Sequence, residues 1–167
     1  MNTDWKDLAA TSHYLTALKI QDALNDHAIE EAARGIEELI ASMSRADKRA
    51  AKSLLVVLMK HVIKWKSQPQ KRSVSWIVTI RNARRELAAL REDTPSITQS
   101  VLESYWEQAF QWAKEDAEEE MGQPSLVQSL SWHDVFVEDY TSLSWKSMQL
   151  TDSKSLPTAK YLALEHD

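Results

Sequence analysis

The chain contains no cysteine, which excludes disulfides, thiolate nucleophiles and any zinc site built on Cys. Glycine is almost as scarce, at two residues, and proline numbers four. An all-β architecture needs far more turn formers, and two isolated glycines cannot build a phosphate-cradling loop or a dinucleotide-binding turn. Long apolar runs are missing as well. The longest, Leu54 to Met59, is six residues, against the roughly twenty that a membrane-spanning helix needs. The first residues place Asp4, Lys6 and Asp7 where an export signal has a basic start and an apolar stretch. These absences point to a cytoplasmic chain of long helices with no membrane segment.

What is present is length, tryptophan and an uneven charge. At 167 residues a single domain with its own core is the expectation. Seven Trp supply large amphipathic anchors for a core or a binding surface. The net charge is −5, yet the stretch from Arg45 to Arg85 holds twelve of the twenty Lys and Arg and one acid, Asp47, for about +11. The segments before and after it carry about −5 and −11.

The periodicity predicts helices throughout. A first helix spans about Asp4 to Leu24 on a loose stripe of Trp5, Leu8, Leu15 and Leu18, and Asn25-Asp26 breaks it. A second, amphipathic helix carries Ile29, Ala32, Ile36, Leu39, Ile40 and Met43 on one face and Glu30, Glu31, Arg34, Glu37 and Glu38 on the other. Ser44, with Asp47 three residues on, caps a third helix. Its face of Ala50, Leu54, Val57, Leu58, His61, Val62 and Trp65, widened by Leu55 and Met59, marks it as the central helix. Gln68-Pro69 ends it, because proline disfavours a helical residue before it and has no N–H to donate.

A fourth helix starts near Ser73 or Ser75 and runs to about Arg91, with Trp76, Ile80, Ala83, Leu87 and Leu90 inward. A fifth starts at Thr94-Pro95 or at the Ser96/Gln99 capping pair and ends at Met121, before the terminator Gly122 and Pro124. One more short helix lies within Ser125 to Tyr140. The expected fold is all-α: an antiparallel bundle of about five helices with a short extra helix and an irregular C-terminal tail. Residues 1–140 form the bundle, and 141–167 the Ser/Thr-rich tail with Trp145, Leu150 and Tyr161 as docking points.

The short Pro-bearing turn makes the third and fourth helices antiparallel neighbours. Such a hairpin sets His61, Lys64 and Trp65 close to Arg72, Ser75, Trp76 and Thr79. The acidic residues Glu115, Asp116, Glu118, Glu119 and Glu120 crowd a helix C-terminus, where the dipole disfavours them, and the nearest cationic partner is this basic hairpin.

The run His61-x-x-Lys64-Trp65, Gln68-Pro69, Arg72, Ser75-Trp76, Thr79-Ile80, Arg84-Arg85 and Asp93-x-Pro95-Ser96 resembles the bacterial family called domain of unknown function 29. Ile36-Glu37-Glu38-Leu39, Lys48-Arg49 and Ala113-Lys114-x-x-Ala117-x-x-Glu120-x-Gly122 fall where that family has similar residues. The resemblance covers about residues 1 to 140. Three departures stand out: Ser67 where an aromatic is usual, Met121 in place of a Thr before the Gly, and the extension beyond Thr141. The resemblance implies an all-helical, bundle-like fold and no activity.

Catalytic motifs are largely absent. His133 and Asp134 are adjacent and would point apart on a helix, so no metal and no cofactor are expected. His61 is a weak candidate acid or base, since a histidine on an apolar stripe is more often a hydrogen-bonded core residue. Trp65 and Trp76 are expected as packing anchors across the hairpin. Taken together, His61, Lys64, Trp65, Arg72, Ser75, Trp76, Thr79, Arg84 and Arg85 are the candidate anion- or partner-binding residues, at a helix start where the dipole favours phosphate or carboxylate.

Three functions follow from different classes. The first is a non-enzymatic helical interaction protein whose basic hairpin binds an acidic surface on a protein partner or on a second copy. The second is an RNA-, DNA- or phosphate-binding module, including a toxin–antitoxin-type component, in which cations track phosphates and Trp stacks on bases. The sequence pI near 5.6 argues against it. The third is a nuclease-like enzyme using His61 with Arg72 or Lys64, and it lacks a second acid or base.

Overall fold

A computed structural model describes residues 2–141. Six α-helices, a 3-10 turn at Pro69–Lys71 and a π-helical turn at His133–Val137 make up the described residues, with no strand among them. The helices are α1 (Trp5–Thr11), α2 (His13–Asn25), α3 (Ile29–Ser67), α4 (Val74–Asp93), α5 (Gln99–Ser104) and α6 (Trp106–Met121).

The expected second and third helices are one element. α3 runs unbroken for 39 residues, about 58 Å at the α-helical rise. Ser44 and Asp47 carry a capping signal, but no Gly or Pro interrupts the chain there. The following Arg45, Ala46, Lys48, Arg49, Ala50 and Ala51 are mostly strong helix formers, so the ladder continues through them. The expected first helix is instead two. Ser12 adopts an extended backbone, its N–H donates to the Leu8 carbonyl at 2.9 Å, and its hydroxyl accepts from Leu15 N–H at 3.2 Å. It ends α1 and caps α2.

The expected fifth helix also starts late and divides. Thr98 caps α5 by accepting from Val101 N–H at 3.2 Å. Neither Thr94 nor Ser96 takes that role: the Thr94 hydroxyl reaches Asp47 Oδ2 at 3.4 Å. Gln99 bonds Glu103 rather than a cap. At Tyr105 the helical path breaks before α6 begins. Ser73 caps α4, and Gly122 closes α6 at φ 67°, the left-handed conformation that favours glycine. The short helix expected within Ser125 to Tyr140 is only the π-helical turn.

Cross-helix contacts fix the directions. Gly35 meets Ile20, and His13 meets Ser42, so α2 runs antiparallel to the first half of α3. Lys64 meets Trp76 and Asp47 meets Thr94, so α4 runs antiparallel to the second half. Lys52 meets Gln108 while Lys60 and Lys64 meet Glu120, so α6 runs parallel to that half and completes an up-down-up bundle. Ala109, Ala113 and Ala117, four residues apart and fully buried, form a small-residue stripe along α6.

Two cores of unequal size result. The larger lies between the second half of α3, α4 and α6, where Leu55, Leu58, Met59, Val62 and Ile63 have no exposed surface. Each such side chain contributes about 1.5–3 kcal/mol. The smaller holds Trp5, Ile20 and Ala32 between α1, α2 and the first half of α3. There the apolar face read from the sequence splits. Ala32 turns inward and Leu39 packs against the small core, while Ile29, Ile36, Ile40 and Met43 stay exposed. Apart from Thr141, the expected tail with Trp145, Leu150 and Tyr161 lies outside the described residues.

Gly35 sits on the inward side of α3 with no room for a side chain. A Cβ there would lie 2.6 Å from Ile20 Cγ1 and 2.7 Å from the Trp5 ring. In an open helix Gly→Ala gains up to about 1 kcal/mol. Here the overpacking cost of about 1–3 kcal/mol outweighs it, so urea unfolding of Gly35→Ala should show a lower midpoint than wild type. A raised midpoint would mean that Trp5 and Ile20 give way freely.

Candidate functional site

The α3–α4 hairpin brings the residues on either side of its turn face to face. Gln68-Pro69 stops α3, the 3-10 turn reverses the chain, and the Ser73 hydroxyl accepts from Trp76 N–H at 3.4 Å to start α4. Lys64 Nζ then lies 4.7 Å from the Trp76 ring centre, and the Arg72 guanidinium 4.6 Å from that of Trp65. Arg72 Nε also donates to the Trp65 carbonyl at 2.9 Å. Trp65 is buried and meets Tyr140 edge-on at 5.9 Å. Ser75 and Thr79 join by a bond within α4, Thr79 Oγ1 to the Ser75 carbonyl at 3.0 Å.

His61 is half-buried, with Nδ1 donating to the Val57 carbonyl at 2.8 Å. Burial lowers its pKa. The Val57 bond and Glu120 work in the other direction, and Lys64 and Lys60 add to the lowering. The net effect favours the neutral imidazole. Among the described residues no carboxylate is hydrogen-bonded to it, and Lys60 and Lys64 are already engaged. Lys60 and Lys64 each reach a different oxygen of Glu120 at 2.7 Å. Their hydrogen bonds hold that carboxyl down at about 2 against the opposing effect of burial. The acidic end of α6 therefore meets the basic hairpin as its charge demanded, through Glu120.

A second cation, Lys66, is gripped by Asp134 at 3.0 Å and Glu138 at 3.1 Å. Burial opposes the charged ammonium, but the two carboxylates outweigh it and raise its pKa. Burial likewise opposes ionisation of Asp134, and the Ser131 N–H and hydroxyl together with Lys66 bring it to about 2. His133, Asp134 and Glu138 bring ligand atoms within 4.8 Å of one another, contrary to the expectation that His133 and Asp134 point apart. The cause is the π-helical turn, closed by Glu138 N–H to the His133 carbonyl at 2.8 Å, which gathers residues that an α-turn separates. Lys66 Nζ already engages both carboxylates, and this cluster is assigned no metal.

Arg84 and Arg85 lie further along α4, away from the turn. Arg84 crosses to the segment after α6: Nε donates to the Val135 carbonyl at 2.8 Å, Nη1 donates to that of Glu138 at 2.9 Å, and the guanidinium lies 5.2 Å from the Tyr140 ring centre. Its Nη2 is buried without a hydrogen-bond partner. Burial lowers the Arg84 pKa, with Tyr140, Glu138 and Asp139 opposing. The same burial, joined by Glu138, pushes the Tyr140 phenol up. Arg84 and Arg85 share with Arg81 a groove of about 360 Å³, floored by Val74, Ile77, Val78 and Ile80 and walled by Asp139 to Thr141.

The candidate residues thus fall into two groups. His61, Lys64, Trp65, Arg72 and Trp76 close around the turn, whereas Arg84 and Arg85 open onto the groove. Arg81 was missing from the candidate residues, although its spacing of three and four from Arg84 and Arg85 places all three on one face. Glu120 was read only as one of five acids expected to meet the hairpin, and Asp134, Glu138 and Tyr140 were missing altogether. They lie some fifty to seventy residues from their hairpin partners, and local periodicity carries no such signal. Lys52, set 4.4 Å over the exposed Trp112 ring, is a further contact of that kind.

The family model described as "Domain of unknown function DUF29" matches residues 16–141. No curated protein and no solved structure matches the chain. No helix among the described residues is long and apolar enough to cross a membrane.

Glu120 gives the hairpin a pH dependence. Its folded pKa lies below its ordinary value of 4.5, so its contribution is complete above that value and disappears as pH falls toward about 2. With the carboxylate side chain 43% exposed, the pair ranks with surface ion pairs, at about 1 kcal/mol or less. Urea unfolding should show Glu120→Gln less stable than wild type at pH 7, with the gap closing as pH drops from 4.5. A gap that persists at low pH would show that packing, not charge, makes the difference.

Proposed function

The chain belongs to the DUF29 family, whose description assigns no function, and from its geometry we propose that it is a non-enzymatic helical interaction protein whose basic hairpin binds an acidic partner surface. The observation that carries this reading is the convergence of Arg81, Arg84 and Arg85 on one apolar-floored groove. Arg81 and Arg85 are exposed and make no ion pair among the described residues, and Arg84 adds a third guanidinium to the lining. Against three cations the groove wall offers one acid, Asp139. An amphipathic helix or strand with carboxylates on its flank fits such a groove, its apolar side on Val74 and Val78 and its carboxylates on the guanidinium groups.

The hairpin turn supports the same division. Lys60, Lys64 and Lys66 are engaged by Glu120, Asp134 and Glu138, and His61 is hydrogen-bonded to a backbone carbonyl and to no acid or base among the described residues, which supports a non-enzymatic reading. A cytoplasmic setting belongs to the same reading. Phosphate-rich partners offer the arginines a comparable charge, but the net charge of −5 repels a long polyanion more strongly than a compact acidic patch.

Anisotropy of two labelled probes across a salt series tests this: a Glu-rich amphipathic helical peptide and a single-stranded RNA, each against wild type and the Arg81→Glu/Arg85→Glu variant. The peptide should bind in a salt-sensitive way and lose about tenfold or more in affinity with the variant. No peptide binding at low salt overturns the reading. Tighter RNA binding with a steep salt slope replaces it with the nucleic-acid one.

A further inference from the structure

On the first half of α3, Ile29, Ala33, Ile36, Ile40 and Met43 follow one another at spacings of four, three, four and three, the seam of a coiled coil. Among the described residues nothing covers this seam. Ile29 and Ile40 are each 62% exposed, Ile36 42% and Met43 47%, and Ala33 is exposed as well. Its next position is Asp47, whose carboxylate takes the Thr94 hydroxyl, so the α4–α5 connection limits the seam at that end. Beneath it lies only the small core of Trp5, Ile20 and Ala32. A helical layer with so little buried gains most from a further apolar layer.

We infer that this face pairs with the same face of a second copy, the two α3 helices running antiparallel about a two-fold axis near residue 38. In that register Ile36 of each copy meets Ile40 of the other, and Met43 of each packs on Ala33, a large residue against a small one. Antiparallel pairing also matches charge. The first turn of α3, with Glu30 and Glu31, comes beside the stretch from Arg45 to Lys52 of the other copy, which holds four cations and one acid. Glu30 and Lys48 lie on the same flank of the seam and, across the axis, within two residues of the same level, about 3 Å at the helical rise. Neither makes an ion pair among the described residues. A parallel pair would instead set acid beside acid and base beside base. The contact is isologous, so the assembly closes at two. It uses a different face from the α4 groove and does not depend on an acidic partner.

Sedimentation equilibrium of the full chain across a micromolar concentration series tests this. Wild type should show a monomer–dimer equilibrium, and Ile36→Glu/Ile40→Glu should remain monomeric with an unchanged far-UV circular dichroism spectrum, since both positions are exposed. Glu30→Lys should weaken the dimer about tenfold, and adding Lys48→Glu should restore it. A wild type that stays monomeric overturns the inference, as does a dimer that survives the double isoleucine variant. Failure of the charge swap to rescue overturns the antiparallel register. Arg81→Glu/Arg85→Glu should leave the dimer intact, so the α4 groove and the α3 seam fail separately.

Discussion

The unbroken course of α3 is the constraint on which the rest of the fold depends. Every other helix except α5 takes its direction from a contact with α3, and the two cores lie on its two halves. Continuity across Ser44 to Asp47 is what joins them. A break there would separate the small core of Trp5, Ile20 and Ala32 from the larger core between α3, α4 and α6. Helix propensity over Arg45 to Ala51 is therefore more than local preference: it transmits the position of one core to the other along a rigid rod.

Packing and charge divide the work along that rod. The five fully buried side chains from Leu55 to Ile63 contribute roughly 7–15 kcal/mol between them as an upper figure. The ion pairs of Lys60, Lys64 and Lys66 are part-exposed and add a fraction of that. Their value lies in specificity. A helix with so many cations has many possible acidic neighbours. Glu120 at the end of α6 and the Asp134–Glu138 pair after it select one register for the chain that follows the hairpin. Arg84 completes the selection by bonding two backbone carbonyls in that segment, an arrangement that a lysine, with no planar fork, would not reproduce.

Much of this was legible in the sequence where the signal is local. The helical class, the Pro69 turn, the Ser73 cap, the Gly122 terminator and the facing of Lys64 with Trp76 all follow from spacing and punctuation. Boundaries failed where a capping residue competed with continuity. Ser44 looks like a cap yet sits mid-helix, and Ser12 looks like a helix-interior residue yet caps, because neither Gly nor Pro marks the choice. The site was half legible. Arg84 and Arg85 were visible as a pair, but their groove depends on Asp139 and Tyr140, which return from beyond α6 through a segment without helical period. The π-helical turn at His133 is likewise invisible to a search at α-helical spacing.

The exposed seam on α3 and the arginine groove on α4 arise from the same imbalance. The end of α3 nearest the turn is enclosed by two helices and the segment after α6, so Lys60, Lys64 and Lys66 find internal partners, whereas Arg81 and Arg85 on the outer face of α4 remain outward. The first half has α1 and α2 against it and, among the described residues, nothing on the side of Ile36 and Ile40. A seam of heptad spacing is not needed to pack short helices such as α1 and α2, whose contacts fall on Ala32, Gly35 and Ser42 instead. Apolar residues kept in register on the uncovered side are therefore surplus to the internal fold. In water each would be replaceable by a charged residue without loss to either core, so their presence is accounted for by a surface that meets them.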